Sequence, residues 1–150
     1  MKILVTGGAG FIGANFVRRT LQTRPGVEVV VLDALTYAGR LSNLAGLEGQ
    51  FKFVKGDIRD SELVSGLVGG VDAVIHFAAE SHNDNSLHSP RPFIETNIMG
   101  TFELIQACVK HDVRYHHVST DEVYGSLGDE GLFTETTAYD PRSPYSASKA

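Results

Sequence analysis

Apolar residues fall along this chain in two alternating rhythms. Short runs rich in β-branched residues predict strands at Lys2–Thr6, Val27–Leu32, Phe51–Val54, Val71–His76 and Val113–Val118. Runs that stay apolar rather than alternating suit strands buried on both faces. Between them, apolar residues three or four apart predict helices at Phe11–Thr23, Ser61–Val68 and Pro92–His111. In the last of these, Ile94, Ile98, Phe102, Ile105 and Val109 form one apolar stripe, the pattern of an amphipathic helix. Strand–helix–strand order repeated in this way predicts an α/β chain, a doubly wound parallel sheet with helices on both faces. The stretch Gly125–Pro144 is rich in glycine, acids and turn formers and predicts a surface loop near the site. Ser143-Pro144 then predicts a helix start, with serine as cap and proline in the first turn. Only six residues follow Pro144, too few for a helix to stand alone, so the chain reads as the first part of something longer.

Composition narrows the class. A length of 150 residues suits one domain with a real core. With 42% hydrophobic and 21% charged residues, the chain is too apolar for disorder. A net charge of −5 without any cluster of Lys or Arg argues against nucleic acid or an anionic membrane as partner. The N-terminal run is broken by glycine within seven residues, too early for a signal peptide or a membrane span, and the expectation is a cytoplasmic protein. Cys108 is the single cysteine, which excludes an internal disulfide framework and fits a reducing compartment; it reads as a small buried residue on a helix. His116 and His117 are neighbours on a predicted strand and point to opposite faces. The other histidines show no ligand spacing, so no metal site is expected.

The chemistry begins at "TGGAGFIG", which follows the first strand and opens the first helix. Gly7 permits a tight turn, Gly10 lets backbone N–H groups close on a pyrophosphate at the helix N-terminus, and Gly13 lets helix and strand pack closely. A plain tight strand–helix turn is the lesser alternative for such glycines, which by themselves are weak evidence. Asp33, twenty positions beyond Gly13 at the end of the second strand, changes the balance. There an acid can accept hydrogen bonds from adenosine ribose hydroxyls and repel a 2′-phosphate, which favours NAD over NADP. Without the glycines, Asp33 would read as a turn former. Further on, "YSASK" places Tyr145 and Lys149 four apart, on one helical face. A nearby ammonium and a positive nicotinamide ring would favour the phenolate and fit Tyr145 to take a proton from a sugar hydroxyl.

The stretches "TGGAGFIG", "LDALTYAG", "FAAESHNDNS", "ETNIMGT", "HHVSTDEVYG" and "SPYSASKA" together resemble the extended short-chain dehydrogenase/reductases and, within them, the dTDP-glucose 4,6-dehydratases. The resemblance runs from end to end of the chain. It implies a Rossmann-type NAD-binding domain over residues 1–150, cut at the start of the Tyr/Lys helix, with the substrate-binding C-terminal domain of that family missing. It implies dehydration of dTDP-glucose to the 4-keto-6-deoxy sugar for rhamnose or another deoxysugar, and a homodimer of the intact protein in which the long helix Pro92–His111 and the Tyr-bearing helix pair across a two-fold axis. On this resemblance the cofactor meets Phe11 and Ile12 at the glycine turn, then Asp33, Ala34, Leu35 and Thr36 at the ribose and Asp57 and Ile58 at the adenine. Phe77, Ala78, Ala79, Glu80 and Ser81 line the nicotinamide side, with Thr96 on the long helix and Tyr145 and Lys149 beyond. Ser81 also lies near the sugar.

Oxidation of C4 acidifies the C5 proton; a base then removes it while an acid protonates the departing C6 hydroxyl. By the resemblance Asp121 is that acid, Glu122 the base, and Thr120 a hydrogen-bond partner of the C4 hydroxyl. Mutual repulsion of adjacent carboxyls tends to hold one protonated. Capping of the next turn is the blander role for two acids after a strand. The related sugar 4-epimerases lack the pair, and the decarboxylating and GDP-mannose members typically keep only the Glu, so Asp121 discriminates. The chain departs from the commonest family pattern at "SHNDNS", where Asn83 and Asn85 stand for Val and Arg. An epimerase or decarboxylase of the same fold, or a nucleotide-binding module without turnover, are the alternatives.

Overall fold

The structure, a computed structural model, describes residues 1–128 and 130–150; Asp129, inside the expected loop, lies outside the described residues. Elements run β1 (Lys2–Thr6), α1 (Phe11–Thr23), β2 (Glu28–Asp33), β3 (Lys52–Lys55), α2 (Ser61–Val68), β4 (Ala73–His76), α3 (Asn83–His88), α4 (Arg91–Phe93), a π-helical turn (Ile94–Gly100), α5 (Thr101–His111), β5 (Arg114–His117) and α6 (Pro144–Lys149). Short 3₁₀ turns occupy Leu41–Leu44 and Asp121–Tyr124. The chain divides into two compact units, Met1–Ala78 with Met99–Val118, and Ala79–Ile98 with Ser119–Ala150. Among the described residues, no helix is long and apolar enough to cross a membrane.

The first unit holds the whole sheet, five strands in the order β3-β2-β1-β4-β5, all parallel. Successive β1 side chains alternate between two apolar layers. Ile3 and Val5 pack with Ala14 and Val17 of α1 and with Val29 and Val31 of β2. Leu4 faces the other way, onto Val64 and Val68 of α2 and Leu104, Ala107 and Cys108 of α5. One strand sequence feeds two faces, as the continuous apolar runs require. Because β1 has β2 on one side and β4 on the other, the winding reverses there. The carboxyl ends of β1 and β4 therefore flank the crevice where doubly wound sheets bind ligands.

The stripe predicted for the long helix is present but does not enter the core. Ile94, Ile98, Phe102, Ile105 and Val109 are all exposed, from 42% for Ile98 and Ile105 to 76% for Val109. The sheet is instead packed by Leu104, Ala107 and Cys108, a second set at helical spacing. Cys108 is buried as expected, and burial pushes its thiol pKa up.

Gly13 holds α1 against the glycine turn. A Cβ there would overlap the carbonyl oxygen of Gly7 and the Cα of Gly8, both backbone atoms that cannot swing aside. Gly13→Ala should therefore destabilise the chain by about 1–3 kcal/mol, as overpacking does, and urea unfolding of the two proteins measures it.

Candidate functional site

In the first unit, the residues read as cofactor contacts gather at the carboxyl ends of the strands. Gly7 leaves β1 with φ +69°, and a Cβ on it would run into the backbone of Phe77 and Ala78 at the end of β4. Only glycine satisfies both the left-handed conformation and that close approach. Gly10 caps α1 with no side-chain hydrogen bond, and the first turn carries no acid. The positive end of the helix is thus left to an anionic ligand. Phe11 and Ile12 stand exposed beside it, Phe11 at 82%.

Asp33 is buried at the end of β2. Its Oδ2 accepts from the Ala9 N–H (2.9 Å) in the glycine turn and its Oδ1 from the Leu35 N–H (2.8 Å), where Leu35 takes φ +54°. The turn-forming reading of this acid thus holds. It shapes its own turn, and it is fixed beside the glycine turn with lone pairs to spare, since a carboxylate accepts about four hydrogen bonds. Ala34 is half-buried and Thr36 exposed in the segment that follows. Asp57 is paired with Arg59 (2.7 Å), whose guanidinium holds its carboxyl below the usual range. Ile58 is buried under α2 and α5, so any ligand contact it makes goes through its backbone. Phe77 likewise turns to the core, its ring 5.3 Å from that of Phe16.

The second unit gathers the other set. Thr120 caps the 3₁₀ turn, its Oγ1 accepting from the Glu122 N–H (3.3 Å) and donating to Asp121 Oδ1 (3.4 Å). Asp121 is exposed and Glu122 half-buried, and Glu122 Oε2 accepts from Asn83 Nδ2 (3.0 Å). The two acids do occupy the first turn of a short helix, as the capping alternative has it, but the cap itself is Thr120. Helix α6 starts where the sequence predicts, Ser143 and Ser146 forming a reciprocal capping box with Pro144 in the first turn. Tyr145 on α6 is half-buried, edge-on to Phe93 with centroids 6.3 Å apart. The loop before α6 is irregular, held by Tyr124 against Phe133 and Tyr139 and by an Asp140–Arg142 pair.

One residue of this unit is missed by motif reading. Asn97, 2% exposed in the π-helical turn, accepts from the Glu80 N–H (2.8 Å) and donates to the Glu80 carbonyl (2.9 Å) and to Ser148 Oγ (2.8 Å). Asn97 thereby ties the Glu80–Ser81 segment to α6. Thr96 beside it is half-buried. The available signal was an amide inside an apolar helix, where only a fully bonded polar group is tolerated.

Lys149 is 8% exposed, and desolvation pushes its ammonium from the usual 10.5 down to about 8. Ser119 Oγ donates to its carbonyl oxygen (2.9 Å). A lysine depressed in this way costs stability while both states hold the proton, about 3 kcal/mol below pH 8. Between about pH 8 and 10.5 the unfolded chain binds more protons than the folded one, so the cost fades as pH rises. Lys149→Met should therefore stabilise the chain at pH 7 by up to ~3 kcal/mol, with the gain shrinking across that alkaline window. Thermal unfolding at several pH values checks it.

Residues 4–150 match the family described as GDP-mannose 4,6 dehydratase. The chain belongs to that family. Within it, this chain is 59% identical over 152 residues to the dTDP-glucose 4,6-dehydratase of Mycobacterium tuberculosis, all of this chain aligning with 46% of that protein. Among solved structures, DesIV, a dTDP-glucose 4,6-dehydratase from Streptomyces venezuelae solved with NAD bound, superposes with TM-score 0.93 at 52% identity, over 99% of this chain and 48% of that one. The UDP-Glc/GlcNAc 4-epimerase of Campylobacter jejuni superposes with TM-score 0.89 at 33% identity, over 99% of this chain and 45% of that one. The chain spans about half the length of the curated relatives it matches. Dehydratase and epimerase share this fold, so the fold alone does not choose between them.

Proposed function

We propose that residues 1–150 act as the NAD-binding part of a longer enzyme that dehydrates dTDP-glucose to dTDP-4-keto-6-deoxyglucose. The observation that carries this reading is the turn opened by Thr120, which presents Asp121 and Glu122 side by side in a chain so similar to dTDP-glucose 4,6-dehydratases. The nicotinamide cofactor fits the residues present: Gly7 lets the turn lie against the backbone after β4, Gly13 lets α1 pack closely on that turn, and the uncapped end of α1 suits a pyrophosphate. Bound NAD would supply the two-electron acceptor for C4 and return those electrons at C6.

The chain's own groups do the rest. Thr120 donates to the C4 hydroxyl, and Tyr145 takes its proton. Lys149, still mostly protonated at neutral pH with a pKa of about 8, favours the phenolate by its charge. With C4 a ketone, Glu122 removes the C5 proton. The electrons left behind form the C5–C6 double bond, and Asp121 protonates the C6 oxygen as it departs as water. Phe11, Ile12, Ala34, Leu35 and Thr36 contribute to cofactor binding, as do Asp57, Ile58, Phe77 to Ser81 and Thr96. Asp33 holds the ribose, and Asp33→Ala should weaken NAD binding by roughly ten- to a hundredfold, the scale of losing hydrogen bonds to a charged acceptor, as read by titration calorimetry.

An epimerase is the second reading, favoured by the likeness to the Campylobacter jejuni protein and opposed by Asp121. Mass spectrometry of sugar nucleotide incubated with the whole enzyme separates them. Loss of one water supports dehydration; unchanged mass or loss of carbon dioxide overturns it. We further infer a cytoplasmic homodimer serving deoxysugar synthesis, with the exposed Ile94–Val109 stripe as the dimer face. Light scattering of the whole enzyme at the monomer mass would contradict the dimer.

A further inference from the structure

Glu122 is held at two points. Its backbone N–H is bound by Thr120 Oγ1, and its side-chain Oε2 accepts from Asn83 Nδ2 at 3.0 Å. An ionised carboxylate can only accept, so the amide must present its nitrogen there. Asn83 is itself anchored. It opens α3, and its carbonyl accepts from the hydroxyl of Ser86 (2.6 Å), a residue with no exposed surface. The backbone under the amide is thus tied down while the side chain reaches the acid. A glutamate otherwise samples many rotamers, and fixing one has an entropic cost that a donor already in place offsets.

We propose that Asn83 is a positioning residue for the C5 deprotonation. By occupying Oε2 it holds the Glu122 carboxylate in one orientation and leaves Oε1 directed to the proton. The inference rests on the reading of Glu122 as the base. Asn83 transfers nothing itself: the C5 proton goes to Oε1, the C–H electrons go into the new double bond, and the C6 oxygen leaves as water with the proton from Asp121. A positioning group adds to the rate only through the pre-set geometry of the base. Its loss should cost far less than loss of the base.

A double-mutant cycle in the whole enzyme tests this, with Asn83→Ala, Glu122→Gln and the pair together. Single turnovers follow two signals, the absorbance of reduced nicotinamide for C4 oxidation and quenched product for elimination. Asn83→Ala should slow elimination about five- to tenfold, as loss of one hydrogen bond of ordinary net strength does, and leave C4 oxidation and Tm unchanged. In the Glu122→Gln background the same change should alter elimination by less than about twofold. Asn83→Asp keeps the size and the preference for a helix start but replaces the donor with an acceptor, and should slow elimination at least as much. An Asn83→Ala enzyme that eliminates at the parent rate overturns the proposal, as does an equal loss with and without Glu122. A Glu122→Gln enzyme that still eliminates at full rate overturns the underlying assignment of the base, and this proposal with it.

Discussion

Glu122→Gln in the whole enzyme should lower turnover by roughly 10²- to 10⁴-fold, the scale of general base catalysis, and stop the reaction after C4 oxidation. Gln has nearly the size of Glu, and its side-chain carbonyl can still accept the hydrogen bond that Asn83 offers Oε2. The backbone bond to Thr120 is untouched by the change. What is lost is the capacity to accept a proton from carbon. The variant should therefore bind sugar nucleotide normally, form reduced nicotinamide and hold it, because no alkene appears to take the electrons back. Stopped-flow absorbance shows this as a rise without decay. A rise followed by decay at the parent rate would remove Glu122 from the role of base.

Tyr145→Phe should halt the reaction one step earlier. The ring remains edge-on to Phe93 and α6 keeps its capping box, so the helix stays formed, but no phenolate is left to take the C4 hydroxyl proton. Turnover should fall by roughly 10²- to 10⁴-fold, and no reduced nicotinamide should form in a single turnover. The two variants are thus equally slow in steady state and opposite in absorbance. That contrast separates an acid–base pair acting at C5 and C6 from a phenol acting at C4.

Much of the architecture was readable from the residues, and the exceptions have physical causes. The limits of β1, α1 and α2 agree with the apolar runs because their ends carry strong local signals: glycines after Thr6 and the Asp60 side chain capping α2 by accepting from the Leu63 N–H (3.0 Å). The later strands are displaced by a residue or two, since pairing with a neighbour rather than hydrophobicity sets where a ladder ends. Helix α3 escapes the periodicity altogether. Its sequence, Asn-Asp-Asn-Ser-Leu-His, is polar, and only Ser86 is buried.

The long helix is the more instructive case. Its sequence holds two apolar sets at helical spacing, and the more obvious one is exposed while Leu104, Ala107 and Cys108 pack the sheet. Periodicity says that a face is apolar and does not say what covers it. The π-helical turn at Ile94–Gly100, which carries the buried Asn97, is invisible to an analysis that assumes one helical period.

Motif reading singles out the glycine turn, Asp33, the acid pair and the Tyr/Lys helix as candidates, because each depends on residue type at fixed spacing. Asn83 and Asn97 act across long sequence separations, 39 residues to Glu122 and 51 to Ser148, and no spacing rule reaches that far. Asn83 stood out only as a departure from a family pattern. Its hydrogen bond gives that departure a physical meaning.

Carbon acid chemistry at C5 is read out by proton NMR of the product that the whole enzyme forms from dTDP-glucose in deuterium oxide. Removal and return of that proton through a carboxylate open to solvent predicts a 4-keto sugar with a methyl group at C6 and deuterium at C5. A product that keeps its C6 hydroxyl and its C5 proton, differing from the substrate only in configuration at C4, would contradict it.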